Sequence, residues 1–99
     1  MKVLLHGRLE DVIARCVDRF RRLNVEVEVA RTLFEGIRLM KGSRYDKVFL
    51  GPGVTIEDRL QLIKAAGETR CSMTELQDRN TIYKELKMHT LSGEYKPPV

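Results

Sequence analysis

The feature that most constrains the fold of this 99-residue chain is an alternation of short strand-like runs with helical patterns. Continuous apolar runs, typical of buried parallel strands, occur within Lys2–His6 and Lys47–Leu50. Residues 25–29 alternate valine with glutamate, which predicts a strand with one solvated face near a sheet edge. Strands that alternate with helices indicate a parallel sheet with right-handed crossovers and helices on both faces. The sequence therefore predicts an α/β fold.

Helical patterns follow each of these three runs. The first pattern ends at Asn24, a helix-stopping residue. The second follows Thr32 and Glu35, which have the spacing of a capping box, and the third follows Thr55. Apolar spacings of three and four predict the buried stripes of the three helices, which are Leu9, Val12, Ile13, Cys16, Val17, Phe20 and Leu23, then Leu33, Phe34, Ile37 and Met40, then Ile56, Leu60, Ile63 and Ala66.

The secondary-structure signal is weaker after Gly67. Residues 71–74 predict a short fourth strand, apolar residues from Ile82 onward predict a fourth helix, and residues 94–99 are compatible with a brief fifth strand. The sequence ends there, so we expect no fifth helix. The length fits one compact domain over residues 1–99.

The composition is that of an ordinary globular protein, 42% hydrophobic and 32% charged. The net charge of +4 is too small to imply nucleic acid or a membrane as the partner. The first residues contain only a short apolar run, unlike a signal peptide or a membrane span, so we expect a cytoplasmic protein. Cys16 and Cys71 lack metal-ligand spacing and are expected to be reduced and buried.

Few catalytic groups follow the predicted strands, where open parallel sheets bind their ligands. His6 ends the first strand, but without an identified partner for acid–base chemistry a structural role is favoured. The glycine-proline-glycine loop at residues 51–53 lacks the lysine and hydroxyl of a P-loop, and residues 6–8 lack the glycine spacing of a dinucleotide motif. We expect no cofactor and no metal.

Three arginines, Arg15, Arg19 and Arg22, share one flank of the first helix and could contact phosphates. Asp11 and Asp18 precede Arg15 and Arg22 by four positions, the spacing of exposed helical ion pairs. We therefore interpret this flank as a solvated face.

The order of elements, together with the stretches MKVLLHGRLEDV, VEVEVARTLFEGIRLMKG and YDKVFLGPGVTIEDRLQLI, resembles the receiver domain of bacterial response regulators. The resemblance covers most of the chain and implies a flavodoxin-like (CheY-like), three-layer α/β/α fold with a central parallel sheet. In that family, acidic residues after the first strand bind magnesium and an aspartate ending the third strand accepts the phosphoryl group. A serine or threonine ends the fourth strand, and a lysine followed by proline ends the fifth.

At the corresponding positions this chain keeps only part of that site. Gly51 stands in place of the acceptor aspartate, and His6 and Gly7 occupy the acidic positions. Thr74 matches the switch hydroxyl, and Lys96, which is followed by proline, matches the conserved pair of the family. The resemblance thus implies a degenerate phosphorylation pocket of these five residues, with no phosphotransfer, no enzyme activity and no magnesium.

The resemblance also implies a regulatory module of two-component signal transduction that docks a protein partner without phosphorylation. The expected partner-binding residues, on or near the face that receivers use for output, are Thr74, Tyr83, Lys87, Tyr95 and Lys96. Without a fifth helix, one face of the sheet beside the first helix should be thinly covered. Exposed apolar patches tend to mark interfaces, so we expect a homodimer.

Two other classes of function stay open. A nucleic-acid-binding, transcription-regulatory protein would need a helix-turn-helix-like unit over residues 55–89, with helices flanking Gly67 and no strand at residues 71–73. A small enzyme would use His6 and the loop at Gly51, although no second catalytic group can be named.

Overall fold

The computed structural model of the chain describes residues 1–76 together with Thr81 and Ile82. Strands and helices alternate strictly in this part of the chain. They are β1 (Lys2–His6), α1 (Glu10–Arg22), β2 (Glu26–Ala30), α2 (Leu33–Gly42), β3 (Lys47–Leu50), α3 (Ile56–Glu68) and β4 (Met73–Glu75). The predicted α/β class is confirmed, and β4 overlaps the residues predicted for a fourth strand. The predicted fifth strand, residues 94–99, lies outside the described residues.

The sheet is parallel throughout, with the strand order β2-β1-β3-β4. Within it, β1 pairs with both neighbours, so Val3 lies opposite Val27 of β2 and Lys47 of β3. The two inner strands, β1 and β3, are buried almost along their whole length, whereas β2 at the edge is largely half-buried. The continuous runs are therefore buried and β2 lies at the sheet edge, both as predicted, but Val27, Glu28 and Val29 are all half-buried, so the predicted alternation of a buried and a solvated face is not seen. Within the described residues, no helix is both long enough and apolar enough to cross a membrane.

The helix boundaries follow the predicted capping residues. The Thr32 hydroxyl accepts a hydrogen bond from the Glu35 amide at 3.1 Å, and the Glu35 carboxylate accepts one from the Arg31 amide at 2.8 Å. The Thr55 hydroxyl caps the first turn of α3 in the same way. Asn24 adopts a left-handed conformation (φ 58°) just after α1. Such side-chain caps satisfy amides that would otherwise lack partners at helix starts.

One apolar core lies between the sheet and α1. Val3 and Leu5 of β1, with Phe49 of β3, pack against α1 through Phe20. The Phe20 and Phe49 rings are tilted by 53° with centroids 5.1 Å apart, a favourable aromatic geometry. Ile82 belongs to the same core and is 3% exposed.

The position of Ile82 changes the expectation about the face beside α1. Thr81 and Ile82 are helical, and Ile82 covers part of the face expected to be thinly covered, whereas the rest of the predicted fourth helix lies outside the described residues. A right-handed crossover from β4 to a strand beyond it would carry its helix on the opposite side of the sheet, with α2 and α3. The position of Ile82, under α1, therefore departs from the side of the sheet that the resemblance to five-stranded receiver domains implies.

A second apolar core lies on the other side of the sheet, under α2 and α3. It contains Leu4 of β1 and Val48 of β3, with Met40 of α2 and Leu62 of α3. Leu4 and Val48 point to this side because side chains alternate along a strand, which leaves their neighbours in the core under α1. The two cores together explain why the inner strands carry uninterrupted apolar runs.

The predicted buried stripe of α3 is wrong for three of its four residues. Ile56, Leu60 and Ile63 are 68%, 62% and 48% exposed, whereas Leu62 and Ala65 are buried. Of the predicted stripe, only Ala66 is buried. Two sets of apolar residues on α3 satisfy helical spacing, and the set that contains the two small alanines lets the helix lie close to the strands.

Two further residues of the predicted stripes also lie outside the cores. Phe34 is 77% exposed on α2, where Gly36 is buried instead, and Leu9 is exposed just before α1. Both residues occupy or adjoin the first turn of a helix, where the sheet ends.

The two cysteines lie on opposite sides of the sheet. Cys16 packs against the core under α1 and Cys71 against the core under α2 and α3, and both are half-buried rather than buried. Burial raises the pKa of the Cys16 thiol, so little of it is the nucleophilic thiolate at neutral pH.

The orientation of α3 predicts opposite outcomes for two leucines on one helix. Leu62→Ala removes a fully buried side chain and should lower the free energy of unfolding by about 2–5 kcal/mol. Leu60→Ala is the matched control and should change it by less than about 0.5 kcal/mol. Urea denaturation at low protein concentration measures both, and a larger loss for Leu60→Ala would contradict the orientation.

Candidate functional site

The candidate site is the edge of the sheet where the parallel strands end. β1 ends at His6, β2 at Ala30, β3 at Leu50 and β4 at Glu75. In open α/β sheets ligands bind beyond this edge, at the point where neighbouring crossovers leave on opposite sides. In this sheet the crossovers from β1 and β3 do so, because α1 lies on one side and α3 on the other.

The structure brings His6, Gly7 and Gly51 together at this point. The Gly51 amide donates a hydrogen bond to the His6 carbonyl at 2.8 Å, and the Gly7 amide donates one to the Ala30 carbonyl at 3.0 Å. A β-carbon on Gly7 would lie 3.1 Å from Cγ1 of Ile13, so Gly7 allows α1 to approach the end of β1. A β-carbon on Gly51 would meet its neighbours only at 3.4 Å and beyond, which is ordinary contact.

Thr74 does not lie beside Gly51, which corrects the expected pocket. In the sheet register Thr74 lies opposite Phe49 and Glu75 opposite Leu50. Thr74 is therefore roughly 7 Å short of the level of Gly51, given the rise of about 3.3 Å per residue. Its side chain is on the same face as Phe49, toward α1 rather than toward the strand ends.

The other predicted site residues, Tyr83, Lys87, Tyr95 and Lys96, lie outside the described residues. Only His6, Gly7 and Gly51 of the degenerate pocket are therefore placed at one point by the described structure.

The His6 side chain faces the core under α2 and α3 rather than the open edge. It is fully buried, and a β-carbon on Gly36 of α2 would lie 2.9 Å from its Nδ1. The same β-carbon would lie 3.1 Å from Leu62 of α3. Gly36 thus leaves the space that the imidazole fills between the two helices and the sheet.

No hydrogen-bond partner for either ring nitrogen of His6 is found among the described residues. Burial lowers the pKa of His6 below its ordinary value of 6.5. The carboxylates of Asp58 and Glu35 oppose this shift, and the Arg8 guanidinium adds to it. The ring is therefore held neutral inside the core, where it cannot reach a substrate at the strand ends.

Charged side chains around this edge are held in ion pairs. Arg31 contacts both oxygens of the Glu10 carboxylate, one of them at 3.2 Å. This hydrogen bonding lowers the pKa of Glu10 and raises that of Arg31. Arg8 lies 3.7 Å from Asp58. No cluster of three or more histidine, cysteine, aspartate or glutamate side chains that could hold a metal ion occurs in residues 1–76 or at 81 and 82.

The described structure also bears on the two other classes of function. Arg15 pairs with Asp11 at 3.1 Å and Arg22 with Asp18 at 3.0 Å, which confirms the predicted ion pairs on α1. The helix-turn-helix-like unit required helices flanking Gly67 and no strand at residues 71–73, but Gly67 lies within α3 and β4 begins at Met73. These requirements are not met.

A groove that the sequence did not reveal lies near the other end of α2 and α3. It has a volume of about 540 Å³ and is lined mainly by residues 40–45 and 69–71. Its basic side chains are Lys41 in the last turn of α2, Arg44 just after α2 and Arg70 just after α3. Because they are far apart in the chain, no local motif marks them.

Comparison with solved structures supports the fold. The chain is similar to a protein described as a de novo Rossmann2x2 fold with most of the core mutated to valine, whose structure was solved by solution NMR. The TM-score is 0.66 at 19% sequence identity, covering 89% of this chain and 87% of the other. No protein-family model and no curated protein matches the sequence. The similarity establishes a Rossmann-like α/β fold, without assigning a function.

The environment of His6 predicts a pH-dependent stability. Between the lowered pKa of the folded state and about 6.5 the unfolded chain binds more protons at this position. The free energy of unfolding should therefore fall as pH decreases from about 7 through this interval. His6→Leu removes the titrating group and should flatten the profile.

Urea denaturation at a series of pH values, with and without His6→Leu, measures this effect. The variant retains His89, so the difference between the two profiles isolates His6. Parallel profiles between about pH 5 and pH 7 would show that His6 does not titrate as its burial implies.

Proposed function

We propose that this chain is a phosphorylation-independent regulatory module, a receiver-like variant of the Rossmann-like fold that acts by binding a protein partner. The strand order β2-β1-β3-β4 agrees with the first four strands of the flavodoxin-like order. The strand order alone does not identify the site residues; these come from the resemblance of the sequence to receiver domains.

The observation that carries the proposal is Gly51 at the end of the buried strand β3. Receivers hold their acceptor aspartate at the matching position, next to the end of β1. Here the backbone of Gly51 is bonded to His6, and a side chain would fit without a close contact. Packing therefore does not require glycine at this position, and its presence indicates that the chain does not use an acceptor there.

The surroundings of Gly51 support the same conclusion. Receivers bind magnesium through acidic residues after β1, but Gly7 has no side chain and the His6 ring faces the core. Asp58, in the first turn of α3, lies 3.7 Å from the Arg8 guanidinium. A divalent cation prefers several oxygen ligands, which this arrangement does not offer among the described residues.

A module of this kind must switch without phosphorylation. A partner shifts a conformational equilibrium only through its different affinities for the two states. Binding itself is then the signal, and the strand ends serve as scaffold for the loops rather than as a reaction centre.

Phosphoryl transfer from acetyl phosphate tests this function directly. We expect no incorporation into the wild-type chain with magnesium present, as measured by intact mass spectrometry, with an active receiver as the positive control. Gly51→Asp supplies a carboxylate but not the acidic residues for magnesium, so it should also stay unmodified. Stoichiometric phosphorylation of the wild-type chain would overturn the proposal.

A further inference from the structure

The outer face of α3 carries three large aliphatic side chains in solvent. We name Ile56, Leu60 and Ile63 the α3 strip; they are 68%, 62% and 48% exposed. At 3.6 residues per turn these positions lie within about 60° of one another around the helix. Single exposed apolar residues are ordinary, but a continuous strip along two turns marks a contact surface.

Toward the end of the helix, none of the described residues obstructs the strip. Gly67 falls on the same side of α3 by its spacing of four from Ile63, and a β-carbon there would have no neighbour within 4 Å. At the other end, Leu9 packs on Gly53 in the loop before α3 and is 44% exposed. Residues 1–76, with Thr81 and Ile82, therefore leave the strip open to a partner helix.

Two residues of opposite charge lie beside the strip, at similar distances before and after Leu60 along the helix. Glu57 and Lys64 are exposed on the same flank of α3, one on either side of Leu60. No ion pair of either residue with another is found in the described part of the chain.

The arrangement is complementary to a second copy of itself. In an antiparallel pair related by a two-fold axis near Leu60, each Ile56 lies near the Ile63 of the other copy. Each Glu57 then lies at the height of the other copy's Lys64, on the same flank. Packed helices approach to about 8–10 Å between axes, within reach of both side chains.

We propose that the α3 strip is the contact surface of a homodimer in which α3 packs antiparallel against α3 of a second copy. This inference does not depend on the loss of phosphorylation. It moves the dimer contact from the face beside α1, which Ile82 partly covers, to the opposite side of the sheet.

Two observations favour a second copy of this chain as the partner of the α3 strip. Ile82, the described residue farthest along the chain, packs on the far side of the sheet, so none of the described residues after β4 covers α3. The charge pattern is satisfied by an identical strip without any further partner. A contact centred on three side chains per copy is smaller than a standard interface of about 800 Å² per partner, so we expect a dissociation constant of roughly 1–100 µM.

Analytical ultracentrifugation of the full chain from about 1 to 500 µM tests the dimer. We expect a reversible monomer–dimer equilibrium for the wild-type chain. Leu60→Lys places two like charges near the two-fold axis and should weaken the dimer by roughly a hundred-fold or more. A monomer over the whole range, or a dimer that Leu60→Lys leaves intact, would overturn the proposal.

Phe34→Lys is the matched control. Phe34 is 77% exposed, but it lies about 200° around α2 from Gly36, the residue that faces Leu62 of α3. The Phe34→Lys variant should have a dissociation constant within about two-fold of the wild-type value. A loss as large as that of Leu60→Lys would place the contact elsewhere. Circular dichroism should show that both variants fold, since both substituted side chains are exposed.

Charge reversal tests the antiparallel arrangement. Glu57→Lys and Lys64→Glu should each weaken self-association by roughly three-fold, because each brings like charges together. The double variant should recover the wild-type dissociation constant. Mixing the two single variants should give heterodimers in preference to either homodimer, whereas no preference in the mixture would rule out the antiparallel pairing.

Discussion

β1 pairs with β3, and helices cover both faces of these two strands. This constraint decides where the polar side chains near the candidate site can point. Such strands have no solvated face, so a polar side chain within them faces one core or the other. His6 is the last residue of β1 and points to the core under α2 and α3. His6, whose position at the end of a predicted strand suggests an accessible side chain, is therefore a core residue in the folded chain.

The close approach of α2 to β1 follows from the same constraint. The imidazole of His6 occupies the space beside Gly36, where a β-carbon would lie 2.9 Å from Nδ1. Alanine would favour a helix more than glycine, by about 1 kcal/mol, so the glycine is retained against local helix propensity. Gly36 and His6 form a pair in which one residue makes room for the other. At the carboxyl edge, the Gly51 amide is hydrogen-bonded to the His6 carbonyl, whereas the titrating side chain of His6 lies in the interior.

Sequence patterns predicted correctly the strands and helices that depend on interactions between residues close together in the chain. β1, β3 and α2 have the expected positions because continuous apolar runs and the Thr32–Glu35 cap act within a few residues. The patterns failed where the outcome depends on contacts distant in sequence. Periodicity on α3 permits two apolar faces, the register of Thr74 is set by β3, and the side on which Ile82 packs is set by the crossover. His6 and Gly36 are thirty positions apart in the sequence, so no local motif predicts that they lie side by side.

The two apolar faces of α3 also explain why a contact there would leave the strand ends free. A helix with aliphatic residues on two faces is ordinarily covered on both. Leu62 and Ala65 meet the sheet, which leaves Leu60 and its neighbours for another surface. Because α3 runs antiparallel to the strands that it connects, an antiparallel pair of α3 helices directs the strand ends of the two copies in opposite directions. The proposed contact would therefore pair two copies without joining their candidate sites, and under the proposed function each copy would dock its own partner.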